Sequence, residues 1–283
     1  MRARTIVVTL LLTATVTGCS KTALRGRIVF QSNRDGNFQI YSMNDDGASV
    51  QRLTTSHSYD VSPSWSPDGK RIVFASDRGG NWDIYTMNAD GGNVKRLTEP
   101  PGSNSSPSWT TNGSGILFVS TRDAVNGDLY LMNADGANPR RLTQDSTVKD
   151  SPAMTPDGQT VIFVVDGREG SSIVAMNFTT KSVTTLIPPS YYATSPRISP
   201  DGSQLVFAAV HDGRSSIFTS TISGSDIKLL RSSNENCRTP AWKGSTGDVL
   251  YSTSWGLVAL SLDTNTEVKL STKGDSSPCW IAE

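Results

Sequence analysis

The side chains that most often carry enzymatic chemistry are scarce in this chain. His57 and His211 are the only two imidazoles among 283 residues. The sequence contains no G-x-S-x-G, H-E-x-x-H, C-x-x-C or P-loop motif. A hydrolytic triad would need one of these histidines beside an activated serine, and a catalytic metal site would need a third good ligand. We therefore predict a protein that is not an enzyme and that uses no cofactor and no metal.

The N-terminal segment carries a different chemistry, that of protein export. Arg2 and Arg4 precede an uncharged run that ends in Val16-Thr17-Gly18-Cys19. This order of basic, apolar and small residues predicts a signal peptide over residues 1–18. The end of the segment resembles the bacterial lipobox, which implies that Cys19 is lipidated and that residues 19–25 form a short tether. An ordinary signal peptide cut elsewhere and a simple N-terminal anchor are the alternatives.

Charge and cysteine content narrow the location and the partners. The mature chain would keep 24 basic and 26 acidic groups, because residues 1–18 contain two arginines and no acid. Without a basic excess, nucleic acid is not an expected partner. Cys237 and Cys279 could form a disulfide in an exported protein, but their different positions in the repeat described below make pairing the less favoured interpretation.

A Ser/Thr-Pro-x-apolar motif, hereafter the Ser/Thr-Pro motif, returns six times along the chain. Its prolines recur at intervals of 44, 45, 44 and 44 residues and then once more near the end of the sequence. They are Pro63, Pro107, Pro152, Pro196, Pro240 and Pro278. Between them lie turns such as Pro67-Asp68-Gly69 and short alternating segments, which indicate four β-strands per unit. Units of this length and composition are typical of propeller blades.

We therefore predict an all-β, six-bladed propeller over residues 26–283. The first unit lacks its opening strand, and the last motif has no unit of its own. Pairing a C-terminal strand at 277–282 with the first three strands would complete the sixth blade and remove exposed sheet edges. The apolar residue of each motif is expected to fill the space between blades, although the tryptophans could instead stack on sugars. These residues are Trp65, Trp109, Met154, Ile198, Trp242 and Trp280.

Two sets of polar residues are candidates for function. Arg34, Arg78 and Arg122 each lie four residues after a blade aromatic, and we interpret them as salt bridges to the neighbouring blade rather than as an anion site. The segments before each motif should converge on the mouth of the central channel. Its predicted binding residues are His57, Tyr59, Asp60, Asn104, Lys149, Asp150, Tyr191, Tyr192, Arg238 and Asp275. Charges that pair among themselves are the alternative to a peptide-binding mouth.

The repeat resembles a known family at the level of whole blades. The segment SPSWSPDGKRIVFASDRGGNWDIYTMNADGGNVKRLT at 62–98 is similar to the Pro-Asp repeat of the TolB family, a periplasmic part of the Tol–Pal envelope system. The propellers of the prolyl oligopeptidase and dipeptidyl peptidase families are also similar. Members of the TolB family carry an additional N-terminal α/β domain, which we expect this chain to lack.

The resemblance implies a non-enzymatic scaffold that binds an envelope protein or peptide, and the lipobox-like segment adds the expectation of a lipid anchor. We expect it on the periplasmic side of the outer membrane in a Gram-negative host, and otherwise on the cell surface. A glycan-binding or small-ligand-binding propeller, a lyase-like enzyme, and a propeller that gates a separate hydrolase are the alternative functions.

Overall fold

The computed structural model describes residues 26–244, 247–272 and 274–282. Within these ranges the chain forms six four-stranded antiparallel sheets and one short 3-10 turn, Pro189–Tyr191. No helix in this part of the chain is long and apolar enough to cross a bilayer. The predicted signal peptide, Cys19 and the rest of the 19–25 tether lie outside the described residues.

The strands occupy equivalent positions in every sheet. The innermost strands are β4 (Asp60–Trp65), β8 (Asn104–Trp109), β12 (Val148–Met154), β16 (Thr194–Ile198), β20 (Arg238–Lys243) and β24 (Asp275–Ala282). The second strands are β1 (Gly26–Ser32), β5 (Arg71–Ser76), β9 (Gly115–Ser120), β13 (Thr160–Gly167), β17 (Gln204–His211) and β21 (Asp248–Thr253). The third strands are β2 (Gln39–Asn44), β6 (Asp83–Asn88), β10 (Asp128–Asn133), β14 (Gly170–Asn177), β18 (Arg214–Thr221) and β22 (Gly256–Ser261). The outer strands are β3 (Gln51–Arg52), β7 (Lys95–Arg96), β11 (Arg140–Arg141), β15 (Val183–Ile187), β19 (Lys228–Arg231) and β23 (Thr266–Lys269).

The predicted ring closure is confirmed. One sheet has the order β24-β1-β2-β3, so the C-terminal strand completes the blade that the N-terminal strands begin. Pairs such as Arg27 with Ile281 and Ile28 with Trp280 fix its antiparallel register. The strand begins at Asp275, two residues before the predicted start. We number this composite blade 1, and the sheets from β4–β7 to β20–β23 follow as blades 2 to 6.

The innermost strands surround the axis of a closed ring. Each of them contacts the innermost strands of the two adjacent blades, and β24 contacts both β20 and β4. The ring has two faces because the strands run antiparallel. The uniform face carries the turns between first and second strands and between third and fourth strands. The variable face carries the hairpins between second and third strands and the connections between blades.

A β-bulge at every Ser/Thr-Pro motif interrupts the innermost strands. The residue before the proline has a positive φ in all six blades, from 44° at Thr239 to 53° at Ser62. The strand register shifts at the same place, as between Val61 and Ser64 in blade 2. A bulge breaks the alternation of side chains along a strand. Residues on the two sides of the bulge therefore do not follow one simple inward-outward pattern.

The apolar residues of the motif fill the spaces between blades, as predicted. Trp65 packs with Val29 and Ile40 of blade 1 and with Ile72 and Phe74 of its own blade. Each remaining motif residue occupies the corresponding core between two blades: Trp109, Met154, Ile198, Trp242 and Trp280. The hydrophobic core is thus divided into six clusters, each shared by two neighbouring blades.

Candidate functional site

The central channel is lined by all six innermost strands. It holds a cavity of about 360 Å³, whose lining consists mainly of hydroxyl-bearing and small residues. The residue before the proline lines the channel in each motif: Ser62, Ser106, Ser151, Ser195, Thr239 and Ser277. The residue after the proline lines it in five blades: Ser64, Ser108, Ala153, Arg197 and Cys279. Cys279 and the buried Cys237 are both free thiols, so the less favoured disulfide is not formed.

Four of the ten predicted mouth residues lie inside the propeller and not on its surface. Asp60 and Asn104 are fully buried, and Lys149 and Asp275 are each 2% exposed. All four occupy the position three residues before the motif proline, where blades 5 and 6 carry the buried Ala193 and Cys237. These four side chains therefore lie beneath the surface of the propeller. Direct contact with a partner would require them to move.

Two of the buried acids pair with an arginine of their own blade. Arg78 donates to both carboxylate oxygens of Asp60 at 2.8 and 2.9 Å, and Arg34 donates to Asp275 at 2.6 Å. Asp60 and Arg78 both belong to blade 2, and Arg34 and Asp275 both belong to blade 1. The predicted salt bridges are therefore present at Arg34 and Arg78, whereas Arg122 donates to the neutral Asn104 instead. The predicted neighbouring-blade partner is wrong in both salt bridges. The hairpin that follows the second strand brings the arginine back over the start of the adjacent innermost strand.

Aromatic rings and a serine hold these arginines in place. The Arg78 guanidinium lies 5.1 Å from the Tyr85 ring centroid and 5.4 Å from that of Phe74, and its Nε donates to Ser76 Oγ at 3.1 Å. The same arrangement recurs around Arg34 and Arg122. Cation–π contact and a fixed planar fork suit arginine and not lysine. The Phe-x-Ser-x-Arg spacing is thus explained by packing within a blade.

The polar contacts that join neighbouring blades depend on which residue lies three positions before the motif proline. Asn104 accepts a hydrogen bond from Arg122 at 3.2 Å and donates to Asp83 of blade 2 at 3.0 Å. Lys149 lies 3.2 Å from Asp128 of blade 3 and 2.7 Å from Asp145. Each buried charge among these residues therefore has an opposite charge, which a low-dielectric site requires.

The other six predicted mouth residues are at least partly accessible. Tyr59 is 45% exposed and Tyr192 is 53% exposed, whereas Tyr191 is half-buried against Phe218. His57 and Arg238 are exposed. Asp150 is also exposed, and its carboxylate accepts hydrogen bonds from Ser106 Oγ and from the Ser151 amide. These residues come from blades 2, 4, 5 and 6. Asp150 lines the channel cavity, whereas Arg238 lines a separate pocket with Asp275, and His57 lines another with Arg52. The binding role of all six stays a prediction.

Several features of the variable face were not predicted from the sequence. Val125 and Trp255 are exposed there in hairpins, and Val148 and Val210 are exposed at the adjoining ends of β12 and β17, positions that carry no repeat signal. Tyr41 and Tyr130 donate hydrogen bonds to Asp35 and Asp123 at the same end of blades 1 and 3. Burial and these carboxylates raise the pKa of both tyrosines to about 12. Within the described ranges, no group of three or more His, Cys, Asp or Glu residues is placed to hold a metal ion.

Comparison with known proteins agrees with this geometry. The family model PD40, described as the TolB beta propeller domain, matches residues 25–124 and 98–282. The chain belongs to the TolB β-propeller domain family.

Individual TolB proteins match shorter stretches of the chain. The Tol-Pal system protein TolB of Geobacter sulfurreducens is 47% identical over 45 residues, which are 16% of this chain and 10% of the relative. The Protein TolB homolog of Chlorobium luteolum is 52% identical over 44 residues, again 16% of this chain and 10% of the relative. The chain thus aligns with about a tenth of the length of these curated relatives.

The fold of a TolB protein is nevertheless shared over most of the chain. The crystal structure of TolB from Acinetobacter baumannii has a TM-score of 0.78 and 23% identity, and the match covers 91% of this chain and 67% of that chain. At this identity the likeness establishes the fold alone.

The charged network of this TolB-type propeller can be tested with two matched arginines. Replacing Arg78 by alanine leaves the buried Asp60 carboxylate unpaired, and we expect a loss of about 3–5 kcal/mol of unfolding free energy. Arg122→Ala removes the same cation–π contacts but leaves a neutral Asn104, so about 1–3 kcal/mol is expected. Urea unfolding of both variants measures the difference.

A double variant separates charge from packing in this test. Asp60→Asn should recover part of the stability lost in Arg78→Ala, because the unpaired charge is gone. Equal losses for Arg78→Ala and Arg122→Ala, with no recovery in the double variant, would contradict the assigned role of the buried carboxylate.

Proposed function

We propose that this protein is a lipid-anchored cell-envelope propeller that binds a protein or peptide on its variable face without catalysing a reaction. The observation that carries the proposal is the set of large apolar side chains exposed on that face. They come from five successive blades and are Tyr59, Val125, Val148, Tyr192, Val210 and Trp255. Exposed apolar residues on a rigid scaffold mark interaction surfaces, and loops are where binding residues concentrate.

The uniform face offers less to a partner because its side chains are used in turns. Asp68 accepts hydrogen bonds from Ser66 Oγ at 2.6 Å and from the Lys70 amide at 3.1 Å. Asp157 and Asp201 do the same in blades 4 and 5. Hydrogen bonding with neighbouring hydroxyl and amide groups lowers the pKa of Asp201 to about 2. Repeated self-satisfied turns favour a structural role for this face.

Family membership supports an envelope partner. The Geobacter sulfurreducens relative is named as a protein of the Tol-Pal system. Because the shared segment is a small part of that relative, the partner is proposed by its chemistry: a protein or peptide that offers apolar and hydrogen-bonding groups to a ring of mixed polarity. The channel mouth is the proposed centre of contact, with Tyr59, Tyr192 and Arg238 as the proposed contact residues.

The proposed anchor fixes the orientation of the ring. Cys19 would carry the lipid, and residues 20–25 would span at most about 20 Å. Gly26 begins β1 and pairs with Ala282 at the end of β24, which places it at the uniform face. We propose that the uniform face is held toward the membrane and that the variable face points away from it.

Photo-crosslinking in intact cells tests the binding face. A photoreactive amino acid at Tyr59 or Tyr192 should yield a discrete adduct with a partner. The matched controls are Val50 and Val94, each 43% exposed, which lie in the turns leading to the outer strands. At least about tenfold less adduct is expected from the controls, because their side chains would lie outside the contact. Equal adducts at all four positions, or adducts only at the controls, would refute the assignment of the face.

Thiol labelling of membranes tests the anchor and the orientation. In a chain carrying His57→Cys, labelling should be as fast on membranes as in a soluble Cys19→Ser form. In a chain carrying Asp68→Cys, membrane attachment should slow labelling, because the short tether brings the uniform face near the bilayer. Release of the wild-type protein without detergent would contradict lipidation of Cys19. Protection at 57 with free access at 68 would reverse the proposed orientation.

A further inference from the structure

Arg197 is the one charged residue in its ring of equivalent positions in the described innermost strands. The residue after the motif proline is Ser64, Ser108, Ala153, Arg197, Ala241 or Cys279 in the six blades. Arg197 lies in blade 5 and lines the central cavity. The innermost strand does not need a cation at this position, since the other five blades have small, neutral side chains at the equivalent position.

No carboxylate among the described residues forms a salt bridge with Arg197. Its Nη1 donates to the carbonyl of Pro196 at 2.9 Å. By contrast, Arg34, Arg78, Arg96 and Arg141 each pair with an aspartate. The titratable groups that interact with Arg197 are the Cys279 thiol and the Asp150 carboxylate. Asp150 is already engaged by Ser106 and by the Ser151 amide.

The environment of Arg197 disfavours a bare positive charge. Burial lowers the pKa of its guanidinium, and Asp150 and Cys279 only partly oppose this effect. Arginine does not lose its proton in proteins. Arg197 is half-buried, and a partly desolvated charge is stabilised by an opposite charge and by hydrogen bonds, both of which a bound anion supplies.

The same cavity offers additional donors. Hydroxyl groups line it from all six blades, among them Ser62, Ser151, Ser195 and Ser277. The hydroxyls of Ser106 and Ser108 already donate to Asp150 and to the Pro152 carbonyl. Each hydroxyl can rotate to donate one hydrogen bond. A planar guanidinium can hold two oxygens of one anion, as in arginine–carboxylate and arginine–phosphate pairs. A volume of about 360 Å³ is ample for a small oxyanion or for the end of an extended chain.

We infer that the central channel is a binding site for an oxyanion, held by the Arg197 guanidinium and by hydroxyl groups of the Ser/Thr-Pro motifs. The ligand class includes inorganic phosphate and the carboxylate at the end of an inserted peptide, which present the same oxygen chemistry. This site lies in the channel and does not depend on the partner proposed for the variable face. A metal cation is disfavoured, because Arg197 would repel it.

Cys279 provides a direct reporter for the site. Its thiol lies in the same cavity, and it is itself one of the groups that influence Arg197. Burial raises the pKa of the Cys279 thiol, and the nearby Arg197 offsets part of this rise. A bound anion should block access to the thiol and weaken the Arg197 effect, so alkylation by iodoacetamide should slow. Cys237 is fully buried and serves as an internal reference. Peptide mass spectrometry distinguishes the two residues.

The experiment compares alkylation rates in a Cys19→Ser chain with inorganic phosphate or with chloride at equal ionic strength. Phosphate should slow modification of Cys279 in a saturable manner and raise the Tm. Arg197→Gln should weaken phosphate binding by about tenfold or more, as loss of a charge-assisted contact implies. Arg197→Lys should retain part of the effect. Arg168→Gln, which removes an exposed arginine in the β13–β14 hairpin, should leave it unchanged.

A second pair of probes identifies the source of the oxyanion. Tetraglycine with a free carboxylate is compared with tetraglycine amide. Saturable protection by phosphate, or by the free acid and not by the amide, supports the site and assigns its source. Protection that is equal in Arg197→Gln and wild type, equal protection by acid and amide without any phosphate effect, or no protection by any probe would overturn the inference.

Discussion

Pairing of β24 with β1 is the constraint on which the rest of the structure depends. Each blade buries its apolar surface only against its two neighbours, so the six shared clusters form a closed cycle. Trp280 packs in the cluster between blades 6 and 1, and Asp275 supplies the carboxylate that pairs with Arg34. Repeat arrays gain stability from contacts between neighbours. Opening the ring would expose two blade faces and leave Arg34 without its partner.

The Ser/Thr-Pro bulge explains how one short segment serves both the scaffold and the channel. The residue three positions before the proline is buried in every blade, as Asp60 is, and the residue two positions after it packs between blades, as Trp65 does. The residues on either side of the proline face the channel, as Ser62 and Ser64 do. Placing a residue other than glycine in the left-handed region costs about 1–2 kcal/mol, which the surrounding sheet must offset. The motif therefore recurs because each innermost strand needs a bulge with a left-handed residue before the proline.

The sequence was sufficient for the architecture because architecture depends on periodic features. The proline interval, the Pro-Asp-Gly turns and the unpaired first and last segments predicted six blades and their closure. The positions of single side chains were harder to predict, since the bulge reverses the alternation within the innermost strand. Asp60 and Lys149 were therefore placed at the mouth, although they are buried. Arg197 carries no repeat signal, because its significance arises from the cavity around it.

Removal of residues 275–283 tests the closed ring most directly, with unfolding followed by circular dichroism and mass by light scattering. The truncated chain should melt at least about 10 °C lower, because it loses several kcal/mol of packing and pairing, or should associate through its open edge. Addition of a synthetic 275–283 peptide should restore the transition. A monomer that melts cooperatively at the unchanged temperature without the peptide would contradict the account.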